Sequence, residues 1–370
     1  MNSCRAFGLF AIFLAIGLVS IVKAEPSTAP EVFTFADAEP TVPARVKPPK
    51  QAAKGIYLTA SSVANSAKVE AMIKLIDSTE LNAVVIDTKD YTGKILYDTK
   101  VPLAVELKTA NPVMKDLPGI IKKFHDKNIY VIARQTVFQD PTLANAKTNL
   151  AIKSKKGGLW RDNLGLAWLD PTKREIWDYN VAIAKESIAL GFDEINFDYV
   201  RFPTDGDLST AVFSSTTKHR YDNMGAFYKY LSDQLINEPA YISVDFFGFV
   251  MERHDGMSIG QRLVDANQVM DYISPMMYPS HYPKGYLNFD NPAEHPGAVI
   301  NNGMKQGSKY FSTSTRAEVR PWLQAFHIGA RYDASKIRAQ IDAVEKYPNG
   351  GWLLWNASNN YSSAGLKKQN

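Results

Sequence analysis

The sequence predicts a single (β/α)8 TIM-type barrel with long βα loops, preceded by a Pro-rich linker. Three observations carry this: eight short β-rich runs, amphipathic stretches between them, and no Gly-rich dinucleotide or phosphate-loop fingerprint after any run. The runs are 55–60, 83–88, 130–138, 194–202, 242–249, 272–278, 322–326 and 351–357. Short apolar runs separated by helices read as strands of a parallel sheet buried on both faces, and eight such units fit a closed ring. An open doubly wound sheet is the alternative, and the missing fingerprint argues against it.

The helical stretches are 64–79, 118–127, 174–190, 220–235, 259–270 and 334–347. In the third, Trp177, Val181, Ala184 and Ile188 recur at helical spacing, with Asp170 and Pro171 as a start signal and Gly191 as a stop. Two long insertions, 139–171 and 280–320, fall on βα connections and so belong over the C-terminal face, where barrels keep their chemistry. Few residues follow the eighth run, so the last helix is expected to be short or missing.

The first 24 residues read as a signal peptide: Arg5, an apolar run over 6–22, and a small residue, Ala24, before Glu25 and Pro26. An exported protein, periplasmic or secreted and of bacterial type, is the expectation. A membrane contact follows only if that segment stays uncleaved. Cys4 is the only cysteine, so the chain after cleavage has no thiol to oxidise. Residues 25–53 form the linker, with six prolines between 26 and 49, and are expected to run extended and largely unpacked. The barrel domain is 54–370. Net charge is +4, and +2 once Arg5 and Lys23 are removed with the leader, too weak and dispersed to track nucleic-acid phosphates. The histidines show no metal-ligand spacing and no Gly-x-Ser-x-Gly elbow occurs, so neither a metal nor another cofactor is expected.

Within a barrel, polar residues at C-terminal strand ends are the candidates for chemistry. In 191–203, a period of two puts Asn196, Asp198 and Val200 on the barrel side and Ile195, Phe197 and Tyr199 on the other. An acid facing inward must react or be paired, and Arg134 or Arg201 would be the partner in the second case. Asp245, a lone acid at the end of the fifth run, is the natural second carboxylate, with Glu252 or Asp255 as its alternatives. Asp87 ends the second run, where pairing with Lys89 or Arg134 is the better reading. Aromatic residues collect at the same ends: Tyr199, Phe202, Tyr278, Tyr282 and Trp355, with Trp160 and Trp168 in the first insertion. Such rings stack on sugar C–H faces, although core packing claims about half of such residues.

The stretches 191–203, 259–261 (Ile-Gly-Gln), 271–281 (Asp-Tyr-Ile-Ser-Pro-Met-Met-Tyr-Pro-Ser-His), 320–324 (Arg-Pro-Trp-Leu-Gln) and 351–357 (Gly-Trp-Leu-Leu-Trp-Asn-Ala) resemble the bacterial glycoside hydrolase-type family known as domain of unknown function 4015. The resemblance runs from Lys54 to Tyr361. It implies a glycosidase-type barrel with Asp198 as the strand-four acid. Residues 191–200 are also similar to the strand-four motif of family 18 chitinases, with Asp193, Asn196 and Asp198 at its three Asp positions but Val200 in place of its acid Glu. That departure argues against a chitinase-type mechanism and for a two-carboxylate scheme, with Asp198 as nucleophile or base and Asp245 as proton donor. The expected function is cleavage of a polysaccharide or oligosaccharide. The alternative is a catalytically inactive carbohydrate-binding barrel of the cell envelope. Asp87, Arg134, Asn196, Tyr199, Arg201, Tyr278, His281, Gln324, Trp355 and Asn356 are the candidate sugar-binding residues.

Overall fold

The computed structural model describes residues 45–215 and 219–369. The predicted leader and residues 25–44 of the predicted linker lie outside the described residues. Eight strands correspond one to one with the eight runs: β1 (Ala53–Leu58), β2 (Ala83–Lys89), β3 (Tyr130–Thr136), β4 (Glu194–Asp198), β5 (Tyr241–Phe247), β6 (Tyr272–Met277), β7 (Trp322–Gln324) and β8 (Gly351–Trp355). Each pairs in parallel with the next, and Ile56 of β1 lies beside both Val84 and Leu354, which closes the ring. The fold is a TIM-type (β/α)8 barrel.

Among the described residues the helices that follow the strands include α1 (Ser66–Asp77), α2 (Leu117–His125), α3 (Arg174–Leu190), α4 (Arg220–Leu235), α5 (Leu263–Ala266), α6 (Pro296–Gly307) and α7 (Ala334–Val344). Local chemistry sets several ends. Asn65, Asp116 and Asp333 each accept a hydrogen bond from a first-turn amide, and Gly191 ends α3 at φ 120°. Pro171 sits in the turn before α3 and not at its first position.

Two expectations are corrected. The stretch 259–270 holds only the one-turn α5, because Gly260 is at φ 91° and a Cβ there would meet Met224 Cγ at 2.6 Å. The insertion 280–320 contains α6, a true barrel helix. Its Asn-Asn-Gly and Gly content reads as loop, yet Gly303 and Gly307 are what let it lie against Met277 and Met251: a Cβ at either would stand 2.3 Å from a methionine methyl. After β8 no helix follows, as expected. The tail instead returns to the start of β2, where Lys367 N–H donates to Glu80 Oε1 at 2.8 Å.

The floor of the barrel is polar inside and covered outside. Arg320 and Glu194 form a fully buried ion pair, and Tyr130 O–H donates to Glu194 Oε2 at 3.1 Å. Residues 45–52 of the predicted linker are extended but packed across this face. Tyr241 and Tyr272 donate to the carbonyls of Pro48 and Gln51 at 2.9 and 3.1 Å, and Lys47 lies 4.2 Å over the Tyr241 ring. That part of the linker is therefore not the free arm its proline content suggests. Removing one partner of a buried pair strands the other charge in low dielectric. Arg320→Met is expected to cost about 3–5 kcal/mol in denaturant unfolding, and a loss below 1 kcal/mol would show the floor to be wet or adaptable.

Candidate active site at the barrel mouth

Four inward positions on consecutive strands converge at the C-terminal end of the ring: Asp87 on β2, Arg134 on β3, Asp198 on β4 and Asp245 on β5. Asp87 is registered beside Arg134, Asp198 beside Thr136, and Asp245 beside Ser274 of β6, so strand pairing alone brings the side chains together. Arg134 is at the centre. Its Nη1 donates to Asp87 Oδ1 at 2.6 Å, Nε donates to Asp198 Oδ2 at 3.1 Å, and Nη2 donates to the same Asp198 oxygen. Tyr57 O–H donates to the other Asp87 oxygen. The expected pairing of Asp87 and of Asp198 with Arg134 is thus present, and Arg201 pairs with neither.

Asp245 is placed differently. Its Oδ2 is 4.0 Å from Arg134 Nε, while its Oδ1 accepts neutral hydrogen bonds from Asn196 Nδ2 at 2.9 Å and Trp322 Nε1 at 2.8 Å. Burial first, and the neighbouring Asp198 charge second, push its carboxyl up to about 8. Asp245 is thus held toward its protonated form beside an acid gripped by Arg134. Such a pair can divide the work of a proton donor and a charged nucleophile or base.

The strand-four alternation holds as far as Asp198 and then breaks. Tyr199 has φ 53°, the left-handed region, so its ring turns into the mouth and Val200 turns into the outer core. The expectation that Val200 faces the barrel and Tyr199 faces away is corrected. An acid grafted at position 200 would meet the helix layer and not the cavity.

A cavity of 450 Å³ lies over these groups, lined by Arg134, Asp198, Tyr199, Arg201, Asp245, Phe247, Tyr278, Tyr282, Trp322 and Trp355 among others. A second cavity of 860 Å³ shares Tyr278, His281 and Trp355 with it and continues over the loops after β7 and β8. Trp355 stacks on Tyr57 at 3.9 Å between ring centroids and stands edge-on to Trp322, so the ring is fixed by its neighbours.

Other expected residues do different things. Asn196 is fully buried and orients Asp245, touching no cavity. Gln324 is buried and holds loops: its Oε1 accepts from Ser280 N–H, and its amide donates to Phe326 and Ile328 carbonyls. Asn356 borders the larger cavity, but its amide is spent on the Ala325 and Asn360 carbonyls. Phe202, Trp160 and Trp168 belong to the core. Glu252 is bound to Tyr286 and Asn302, and Asp255 to Arg253, so neither reaches the mouth as a second acid. Asp193 lies at the opposite end, where it accepts from Val131 N–H at 2.8 Å. Sequence reasoning missed Tyr57, Phe247 and Trp322, although all three share the inward parity of their strands. Among the described residues no group of three or more His, Cys, Asp or Glu side chains is placed to hold a metal ion.

A closed parallel ring, carboxylates gathered where its strands end, and a cleft walled by aromatic rings define a barrel of the glycoside hydrolase type. Residues 55–361 match the family described as "Putative glycosyl hydrolase domain", and the chain belongs to that family. Among solved structures it is similar to the PgaB (BpsB) glycoside hydrolase domain from Bordetella bronchiseptica, with TM-score 0.60 and 12% identity over 83% of this chain and 94% of that one. It is similar to Flavobacterium johnsoniae chitobiase at TM-score 0.51 and 13% identity, covering 84% of this chain and 45% of that chain. A hypothetical protein from Ruminiclostridium thermocellum is 37% identical over 51% of this chain and 96% of that one, with TM-score 0.49. None of the curated proteins matches. The first two likenesses are likenesses of fold.

The Asp245 carboxyl binds its proton more tightly in the folded chain than in the unfolded one. The stability this confers is fully present below about pH 4, the unfolded value, and is lost as pH rises through about 8. Asp245→Asn is therefore expected to flatten the fall in melting temperature between those limits. Parallel curves for the two proteins would show that Asp245 is not held protonated.

Proposed function

We propose that this domain hydrolyses glycosidic bonds of a polysaccharide by a two-carboxylate mechanism, with Asp245 as proton donor and Asp198 as nucleophile or base. The observation that carries it is a carboxyl driven toward neutrality beside a carboxylate held by Arg134, both lining one cavity. Oδ1 of Asp245 is occupied by Asn196 and Trp322, which leaves Oδ2 to deliver the proton to the bridging oxygen as the bond to the anomeric carbon breaks. Asp198 then meets the developing positive charge, either by bonding to that carbon or by activating water. Tyr199, Tyr278, Tyr282 and Trp355 would stack on sugar faces, and the larger cavity would take further units of the chain. The apolar leader read in the sequence supports action outside the cytoplasm.

A second reading has its own support. Asp198 Oδ2 accepts both Nε and Nη2 of Arg134, a grip that suits a fixed anion better than an attacking one. On that reading the barrel binds a glycan without cutting it.

The two readings separate on a panel of envelope and capsular polysaccharides, with new reducing ends as the readout. Hydrolysis is expected, with about 10²–10⁴-fold loss in Asp198→Asn and in Asp245→Asn. Release undiminished in both variants would remove them from the chemistry, while binding without release would favour the silent barrel. In the active enzyme kcat/KM is expected to fall as pH rises through about 8, where Asp245 gives up its proton. An alkaline limb unmoved by any change at Asp245 would sink that assignment.

A further inference from the structure

The cavity over the carboxylates holds a second cation, and it is unlike the first. Arg201, beyond the end of β4, is nine-tenths buried and lines the same cavity as Asp198 and Asp245. Arg134 is surrounded by acids, whereas Arg201 makes no ion pair among the described residues. Only one of its nitrogens is engaged: Nη1 donates to the Phe202 carbonyl at 3.1 Å and reaches Thr204 Oγ1 at 3.4 Å. Nε and Nη2 have no acceptor among the described residues, and neither is sealed from the cavity.

Those two nitrogens form the side edge of the guanidinium, a planar fork with the spacing of a carboxylate's two oxygens. Aromatic rings hold the plane. Its centre is 4.9 Å from the Trp168 ring centroid, 4.8 Å from that of Phe247 and 5.5 Å from that of Tyr199. These faces stabilise the cation and limit its rotation. Burial pushes the guanidinium's affinity for its proton down. The acids near enough to act on it are Asp198, Asp205 and Asp162. They favour the Arg201 cation through space, but none forms an ion pair or hydrogen bond with it among the described residues. The site is left with a rigid, desolvated two-donor edge inside the cleft.

We infer that Arg201 forms a subsite for the carboxylate of an acidic sugar, so that the glycan taken by this cleft carries uronic-acid-type units. The inference rests on the carbohydrate-binding reading of the cavity and names its substrate class. A neutral sugar offers that edge only uncharged hydroxyl or ring oxygens, whereas a carboxylate offers both donors a charge-assisted bidentate partner. The carboxylate would sit beside Asp198 and Asp245, so an acidic residue next to the scissile bond is the unit selected.

The test uses the full chain carrying Asp245→Asn, so that binding is read without turnover. Oligogalacturonates, oligomannuronates and hyaluronan oligosaccharides are titrated by calorimetry, each against its carboxyl-reduced counterpart. At least one acidic member is expected to bind about 10-fold or more tighter than its reduced form, the size of one charge-assisted bidentate contact. Adding Arg201→Gln is expected to erase that preference, and Arg201→Lys to restore part of it. The comparison of oligosaccharides on the parent protein needs no second variant to fold. No preference in any pair, or a preference that survives Arg201→Gln, overturns the subsite. Turnover of a neutral polysaccharide by the unmodified chain without such preference would remove the subsite and leave the hydrolase reading standing. Carboxylate-dependent binding with no turnover by the unmodified chain would do the reverse.

Discussion

The mouth of the barrel depends on one guanidinium. Asp87, Asp198 and Asp245 come from three of four neighbouring strands into a space with little water, and without a cation among them their mutual repulsion and desolvation would favour protonation throughout. Arg134 opposes this unevenly, and burial still leaves the Asp87 carboxyl raised above its ordinary value. It donates to Asp87 and Asp198 but stands 4.0 Å from Asp245, which is served by neutral donors instead. Tyr57 and Trp355 pack against the guanidinium, at 5.7 and 5.0 Å from their ring centroids, and keep it from turning to share its hydrogen bonds equally. The raised proton affinity of Asp245 therefore comes first from its burial, with the fixed guanidinium too far away to offset it fully.

The ring supplies that orientation. Parallel pairing sets the heights of the side chains, so Asp87 and Arg134 face each other because their strands are in register. Gln261 joins the ends of β4 and β5 by donating to the carbonyls of Val200 and Asp245 and accepting from Phe247 N–H. Below the mouth come Val85, Ile132 and Leu353, and below those the Glu194–Arg320 pair. The chain thus places an ion pair at the bottom, an apolar plug in the middle and a charge cluster at the top. The top opens to the 450 Å³ cavity over the charge cluster.

Much of this was legible in the sequence, for a physical reason. Strands buried on both faces are nearly continuous in Val, Ile, Leu and aromatic residues, and a polar residue at their ends stands out against that background. Asp198, Asp245 and Arg134 were visible in this way. Parity predicted that Asn196 points inward, but it could not say that Asn196 serves an acid and not a ligand. What parity could not carry was the break at Tyr199, where a single left-handed residue exchanges the two faces. Nor could composition reveal α6, whose glycines look like loop and act as packing surface. Gln324 and Asn356 were misplaced because an amide near a cleft and an amide that braces the cleft's loops are the same letter in the sequence.

The closed floor has a practical corollary. Arg45 begins the described chain against Asp193, below β4, and Lys367 and Lys368 finish it beside Glu80 and Thr79, below β2. Both ends of the described residues therefore lie on the side away from the cleft. A solid support or affinity tag attached beyond Lys368 would start on the side away from the opening, so the domain can be immobilised while long polymers still reach it.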